Sequence, residues 1–289
     1  MFIKREDKND YLLTDGNTKN VSNYLDPGVY DMGIKIGFDT SIFFKKNEMY
    51  KKGSTISNGV HKEIKKYFDN FMSKEMDEAR NEMNMLTKVG LIFTGDPGTG
   101  KTFLAGQIAQ KLSEEKKAVS IIGTNNYSIL KMHNLIDDIR KEDSNKWIVL
   151  ILDEFEKVMN NFEDTNFLSF LDGNNSRKNV ITIAIVNSTK KLPDFLIKRP
   201  GRFEKIFNFK TEDANTLNGI IETIIPNKFK SKITKENIIS ELKSNKARLG
   251  ESQVPITVDS IRLKIRDKIT ELIRNEKNKL APKVQVALA

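Results

Sequence analysis

The chain has 289 residues, 38% of them hydrophobic and 30% charged, a composition typical of a folded globular protein with room for about two domains. It contains no cysteine and only two histidines, so disulfides, cysteine zinc sites and thiol catalysis are excluded and a histidine-rich metal site is disfavoured. The formal net charge of +9, with much of the excess after Lys210, permits contact with nucleic acid, although a solvated helical face explains it more simply.

The first 57 residues are rich in Asn, Asp, Gly and Lys. We predict that they form a small N-terminal region, to which their sequence assigns no function. Within it, the alternation over residues 33–38 indicates a short strand. The start of the chain lacks the apolar core of a signal peptide, and no apolar run is long enough to span a bilayer. We therefore expect no transmembrane segment and a cytoplasmic location.

From residue 58 the pattern changes to alternating helices and strands. Apolar residues at three- and four-residue spacing, beginning at Val60 and Ile64, predict an amphipathic helix. Four apolar runs then predict buried strands, at residues 89–93, 119–122, 147–152 and 180–186. A helix that ends at Lys111 is predicted after the first strand, and a helix over 126–140 after the second. This alternation predicts a doubly wound α/β domain with a parallel sheet over residues 58–209.

After Lys210 the strand pattern stops and helical spacing returns, as in Ile261, Ile265 and Ile269. Residues 210–289 are therefore predicted to form a small helical domain and a tail, of which 281–289 has no assignment.

A glycine-rich turn between the first buried strand and its helix matches the P-loop pattern Gly-x4-Gly-Lys-Ser/Thr. Glycines allow main-chain amides to surround phosphate oxygens, and the helix that follows presents its positive end to the same anion. Lys101 is expected to reach the β- and γ-phosphates of ATP, and the Thr102 hydroxyl to bind Mg²⁺. The predicted nucleotide-binding residues are Gly95, Asp96, Pro97, Gly98, Thr99, Gly100, Lys101, Thr102 and Phe103.

The apolar run 147–152 ends in two acids, Asp153 and Glu154. Carboxylates at the C-terminal end of a parallel strand lie where α/β sheets bind ligands. Asp153 is expected to act on Mg²⁺, and Glu154 to polarise the attacking water as a general base. Acids at the start of a helix are the alternative explanation, and the P-loop at this distance argues against it.

Three further polar residues follow the last predicted strand. Asn187 ends the run 180–186, and its amide could hydrogen-bond the γ-phosphate and the attacking water. Arg199 and Arg202 flank Pro200-Gly201, and each carries a planar, permanently charged group suited to a transferred phosphoryl group. If they act on a neighbouring subunit's nucleotide, hydrolysis requires a ring.

Together the P-loop, the Asp-Glu strand end, Asn187 and the segment 192–203 resemble the classical clade of AAA+ ATPases over roughly residues 58–209. The last segment resembles that clade's second region of homology. The resemblance implies a hexameric ring of identical subunits, a helical lid, and remodelling of a macromolecule. It also implies that Arg199 and Arg202 are arginine fingers that serve the neighbour's ATP.

The chain departs from this clade in the segment after the second strand, where only Tyr127 could grip a threaded polypeptide; helix packing is the simpler role for it. This shortness, and the helix beginning at Val60, resemble the mitochondrial respiratory-chain assembly ATPases. We expect no counterpart of their membrane anchor, so their translocation of folded proteins across a membrane does not carry over. Arg262 could contact ATP from the lid, although an exposed helix charge is the more usual explanation.

The sequence favours an ATP-driven factor that remodels or assembles a protein. A nucleic-acid-directed motor or loader is the alternative that the basic C-terminal region favours, but no nucleic-acid-reading motif accompanies it. A scaffold that binds ATP and scarcely hydrolyses it is disfavoured, because the expected catalytic residues Glu154, Asn187, Arg199 and Arg202 are all present.

Overall fold

The computed structural model describes residues 2–4, 10–13, 21–22, 25–35, 41–52, 59–132, 135–141, 143–159, 165–172, 178–199, 201–210, 214–248 and 256–280. The chain divides into two compact units. Unit 1 comprises Met1–Thr55 and Val60–Phe209, and unit 2 comprises Ile56–Gly59 and Lys210–Ala289.

Unit 1 is built on one sheet with the strand order β10-β6-β9-β8-β7-β4-β5-β2-β1-β3 over the described residues. Neighbouring strands from β10 to β4 are parallel, and the pairs from β4 to β3 are antiparallel. The strands are β1 (Phe2–Lys4), β2 (Asp10–Leu13), β3 (Val21–Ser22), β4 (Gly28–Lys35), β5 (Ser41–Lys46), β6 (Lys88–Gly95), β7 (Val119–Gly123), β8 (Ile148–Leu152), β9 (Val180–Val186) and β10 (Lys205–Phe209).

Both faces of the parallel part are covered. In β8 the side chains of Val149 and Ile151 enter one hydrophobic core, while Ile148, Leu150 and Leu152 enter the other. This burial on both sides explains why β8 has no polar residue, since strands point successive side chains to opposite faces. The predicted α/β fold with a parallel sheet is confirmed.

The helices of unit 1 connect these strands and cover the sheet. They are α1 (Val60–Phe71), α2 (Lys74–Glu82), α3 (Lys101–Lys116), α4 (Asn126–Met132), α5 (Leu135–Ile139), α6 (Phe155–Met159), α7 (Thr165–Asp172) and α8 (Asp194–Ile197). The predicted single helix over 126–140 is described as two, and residues 133–134 between them lie outside the described part. The helix that follows the P-loop continues past the predicted end at Lys111 to Lys116.

The N-terminal residues contribute to the sheet of unit 1. β4 pairs in parallel with β7, so it extends the central sheet, and β5 then begins the antiparallel part. The predicted strand at 33–38 is corrected to Gly28–Lys35, and residues 36–40 lie outside the described part. The edge strand β10 was not predicted, because only Phe207 and Phe209 are buried in it and its apolar pattern is short. The division of the chain into functional domains after residues 57 and 209 remains a prediction.

Unit 2 is helical in its described residues, with α9 (Ala214–Ile224), α10 (Lys235–Arg248) and α11 (Val258–Leu280). Its core includes Leu217, Ile221, Ile238, Ile261 and Ile265. None of the helices in the described parts of either unit combines the length and the apolar character needed to cross a membrane.

Candidate active site

Gly95, Gly98 and Gly100, in the turn between β6 and α3, have a positive φ, which other residues adopt only with strain. Gly95 has φ 145°, and a Cβ atom added to it would lie 2.3 Å from the carbonyl oxygen of Phe209. Gly100 precedes α3 with φ 90° and ψ 11°. The turn leads directly into the 16-residue helix α3, and no side chain caps the start of that helix. The first amides of α3 are therefore available to a phosphate bound in the turn.

Other residues of the turn differ in exposure. Thr99 is buried, and its hydroxyl donates to the carbonyl oxygen of Asp96 at 2.9 Å, which closes the loop. Asp96 and Pro97 are exposed. Phe103 is half-buried on α3, with its ring centroid 6.1 Å from that of Tyr50.

Lys101 lies inside the turn rather than in solvent. Its side-chain amine donates to the carbonyl oxygens of Gly95 at 2.5 Å and Asp96 at 2.8 Å, and to Oδ1 of Asn187 at 3.3 Å. Burial lowers the pKa of Lys101, and the charges of nearby carboxylates, Asp153 first among them, oppose that effect. A buried amine bound to neutral carbonyls can exchange them for phosphate oxygens, which are stronger partners for a cation.

Thr102 and Asp153 converge from α3 and from the end of β8. The Thr102 hydroxyl donates to Oδ2 of Asp153 at 3.0 Å. Burial raises the pKa of Asp153, and the hydrogen bond from Thr102 opposes the rise. A hydroxyl and a carboxylate are the oxygen ligands that Mg²⁺ prefers in nucleotide sites, so this pair fits the predicted magnesium-binding role.

Glu154 has a backbone that non-glycine residues rarely adopt, with φ 53°. Its N–H donates to Oδ1 of Asp153 at 3.0 Å, and its carboxylate lies 2.6 Å from the amine of Lys157. The side chain is 47% exposed, so water can reach it. Such a strained backbone persists only where surrounding contacts impose it, and it is concentrated at functional sites.

The two predicted arginines differ in their surroundings. The Arg202 side chain is only 4% exposed and forms a bidentate pair with Asp172, at 2.5 Å from Nε to Oδ1 and 2.8 Å from Nη2 to Oδ2. It also donates to the carbonyl oxygen of Phe195 at 3.1 Å. Arg199 is 58% exposed and lies 3.4 Å from Oδ2 of Asp172. Arg199 is therefore accessible at the surface, whereas Arg202 is buried within its own chain.

The segment from β6 to just beyond β10 contains all these residues. Residues 91–211 match the model of the "ATPase family associated with various cellular activities (AAA)". The chain contains an AAA ATPase domain.

Several curated proteins are similar to part of this chain. The "ATPase histone chaperone abo1" of Schizosaccharomyces pombe is 27% identical over 50% of this chain and 13% of its own length. The "ATP-dependent zinc metalloprotease FtsH" of Aster yellows witches'-broom phytoplasma is 28% identical over 60% of this chain and 27% of its own. The "26S proteasome regulatory subunit 4 homolog B" of Arabidopsis thaliana is 27% identical over 46% and 33%. The chain thus spans a third or less of these relatives.

Three residues that the sequence analysis did not name contact the predicted site residues or their neighbours. Asp172 ends α7 and binds both arginines, and Lys88 donates to the carbonyl oxygens of Phe170 and Leu171 at 2.9 and 2.5 Å. Glu156 accepts from the N–H of Asn187 at 3.0 Å. Only Glu156 had a signal in the sequence, since it follows the Asp-Glu pair closely.

Two further sequence interpretations concern Tyr127 in unit 1 and Arg262 in unit 2. The side chain of Tyr127 lies outside the described part of the chain, as does Pro200 between the arginines. Arg262 lies on α11 of unit 2, 48% exposed and 3.7 Å from Asp259. That position agrees with an exposed helix charge.

Proposed function

We propose that this AAA domain binds ATP with Mg²⁺ and hydrolyses it, and that hydrolysis drives the remodelling or assembly of a protein substrate. The observation that carries the proposal is the convergence of Lys101, Thr102 and Asp153 on one glycine-rich turn. Lys101 binds the β- and γ-phosphates, while Thr102 and Asp153 hold Mg²⁺. The bound ion supplies charge neutralisation at the phosphates.

In this proposal Glu154 and Asn187 act on the attacking water. Glu154 is accessible and follows the magnesium-binding residue directly, so its carboxylate can accept the proton of that water. Asn187 already contacts Lys101, which brings its amide to the side of the pocket where the terminal phosphate binds. Its role is to orient the water and the phosphate.

The ring is part of the same proposal. Exposure of Arg199 supports a role at the nucleotide of an adjoining subunit, where its charge stabilises the transferred phosphoryl group. Arg202 was predicted to act in the same way, and that role stays a prediction. Its pairing with Asp172 suggests a supporting role, in which Arg202 fixes the carboxylate that lies beside Arg199. We further propose residues 210–289 as the lid, a hexamer as the assembly, and the cytoplasm as its location.

A protein substrate is favoured over nucleic acid by two considerations. The relatives' names include a histone chaperone, a protease and a proteasome subunit. Several basic side chains of unit 2 are also paired with acids: Lys264 and Lys268 contact Glu241, and Arg266 contacts Asp267. A nucleic-acid-directed motor remains the second candidate, and the net charge of +9 favours it.

Rates of ATP hydrolysis alone and with an unfolded protein, DNA or RNA separate these candidates. We expect Mg²⁺-dependent turnover that an unfolded protein stimulates. Stimulation by DNA or RNA alone, with an affinity that falls steeply with salt, would favour the motor instead.

Lys101→Ala tests the pocket itself. Removing the amine should weaken ATP binding by about 10-fold or more, because its charged hydrogen bonds to the phosphates are lost. Lys111→Ala, on the same helix with a 51% exposed side chain, is the matched control and should bind normally. Titration calorimetry with ATP and Mg²⁺ measures both, and equal affinities would contradict the assigned pocket.

A further inference from the structure

Glu156 is a buried carboxylate immediately behind the proposed catalytic residues. Its side chain is on α6, and the residue is only 4% exposed, in contrast to the accessible Glu154. Oε1 accepts from the main-chain N–H of Asn187 at 3.0 Å. The other oxygen, Oε2, is buried and has no hydrogen-bond partner among the described residues.

A buried polar atom without a partner costs roughly 1–3 kcal/mol, so it needs an explanation. An apolar or smaller side chain at position 156 could fill this space without the cost of an unpaired buried oxygen. The carboxylate at this position therefore makes one hydrogen bond at the cost of one buried, unpaired oxygen.

That hydrogen bond holds the main chain where the sheet ends. The last parallel pair between β6 and β9 joins Thr94 to Val186, so Asn187 is the first residue beyond the ladder. Glu156 supplies the acceptor that a neighbouring strand would otherwise supply, and it fixes the backbone from which the Asn187 amide projects.

The fixed residue is connected to the phosphate-binding turn. Oδ1 of Asn187 accepts from Lys101 at 3.3 Å. A chain of contacts thus runs from Glu156 through the backbone and side chain of Asn187 to Lys101.

We propose that Glu156 is a positioning residue for ATP hydrolysis, which sets the place of the Asn187 amide through the main-chain N–H of that residue. This inference rests on the proposed function. Residue 156 must then supply a hydrogen-bond acceptor at the distance that the glutamate side chain reaches, and its negative charge is not needed. Glutamine supplies such an acceptor without the charge, whereas aspartate keeps the charge and is one methylene too short.

The test compares Glu156→Gln, Glu156→Asp and Glu156→Ala in the full chain, with Glu78→Gln on an exposed part of α2 as the control. We expect Glu156→Gln to retain most of the wild-type kcat. Glu156→Asp and Glu156→Ala should lose about 10-fold or more in kcat, with KM for ATP changed by less than about 3-fold, since misplacement by an ångström is costly in the transition state. The reverse order, with aspartate active and glutamine inactive, would overturn the proposal.

A double-mutant cycle separates positioning from general stability. In an Asn187→Ala background, Glu156→Asp should lower kcat no further, because the amide that it positions is gone. Equal losses in both backgrounds would also overturn the inference. Absence of ATP hydrolysis in the wild-type protein is a different result, and it would contradict the proposed function itself. If Glu156→Ala does not fold, the glutamine and aspartate variants decide the question.

Discussion

At the residue scale, Arg199 and Arg202 are chemically identical and lie close together in the chain, yet their environments separate their roles. Arg202 is buried against Asp172, and the guanidinium hydrogen bonds lower the pKa of that carboxyl group. Arg199 remains largely in solvent. Loss of Arg202 should therefore affect folding, whereas loss of Arg199 should affect only what the surface contacts.

Arg202→Met is expected to lower the free energy of unfolding by about 2–3 kcal/mol, because it removes one partner of a buried ion pair while Arg199 remains near Asp172. Arg199→Met should change it by less than about 0.5 kcal/mol, as at other exposed positions. Urea unfolding of both variants measures the difference. Equal stabilities would show that the Arg202–Asp172 pair does not hold this region.

At the scale of elements, Lys88 binds the end of α7 to the start of β6. Its amine donates to the last carbonyl groups of the helix, where a positive charge is favourable. Burial lowers the pKa of Lys88 from 10.5 to about 8, and the charge of Asp172 opposes the shift. The folded state therefore releases this proton at a lower pH than the unfolded state does.

The low pKa of Lys88 makes the stability of the folded protein depend on pH. Between pH 8 and 10.5 the unfolded chain binds more protons at Lys88, so the stability of the folded protein rises with pH. Relative to Lys88→Met, the wild type should gain roughly 1–2 kcal/mol across this window, after allowance for partial solvent exposure. Lys74→Met is the control, because the Lys74 side chain is 88% exposed. Its stability should follow that of the wild type across the whole pH window. Unfolding at several pH values measures this, and parallel curves for wild type and Lys88→Met would refute it.

The sequence predicted the elements whose pattern is local. Central strands appeared as apolar runs because both of their faces are buried, and the P-loop appeared because one turn contains all its residues. It did not reveal β10, an edge strand, or the pairing of Arg202 with Asp172, which lies 30 residues away. The contact of Lys88 with Phe170 joins residues separated by 82 positions. Contacts of this kind depend on how strands are ordered in the sheet, and no local spacing encodes that order.

At the scale of the whole molecule, the proposed ATP hydrolysis requires a pocket that a second subunit completes. Glu154→Gln subunits cannot activate their own water but still present Arg199. Arg199→Ala subunits keep an intact pocket but cannot complete their neighbour's. Mixing the two should give more ATP turnover than either alone, by up to about 10³-fold over the arginine variant if the finger is fully effective.

Arg199 suits this test better than Arg202, because removal of Arg199 leaves the buried ion pair between Arg202 and Asp172 intact. The control mixture combines Arg199→Ala subunits with subunits that carry both changes, so that no arginine is supplied. Turnover that fails to rise in the first mixture at any ratio would show that Arg199 does not act between subunits.

We propose that ATP bound at the turn between β6 and α3 is hydrolysed with Glu154 as the base. The most direct measurement is ATP affinity and turnover for Glu154→Gln beside the wild type, with Glu115→Gln on the exposed end of α3 as the control. We predict that Glu154→Gln binds ATP within about 3-fold of the wild-type affinity and loses about 100-fold or more in turnover, because an amide cannot accept the proton of the water. Normal turnover by Glu154→Gln would contradict the role of Glu154 as the base.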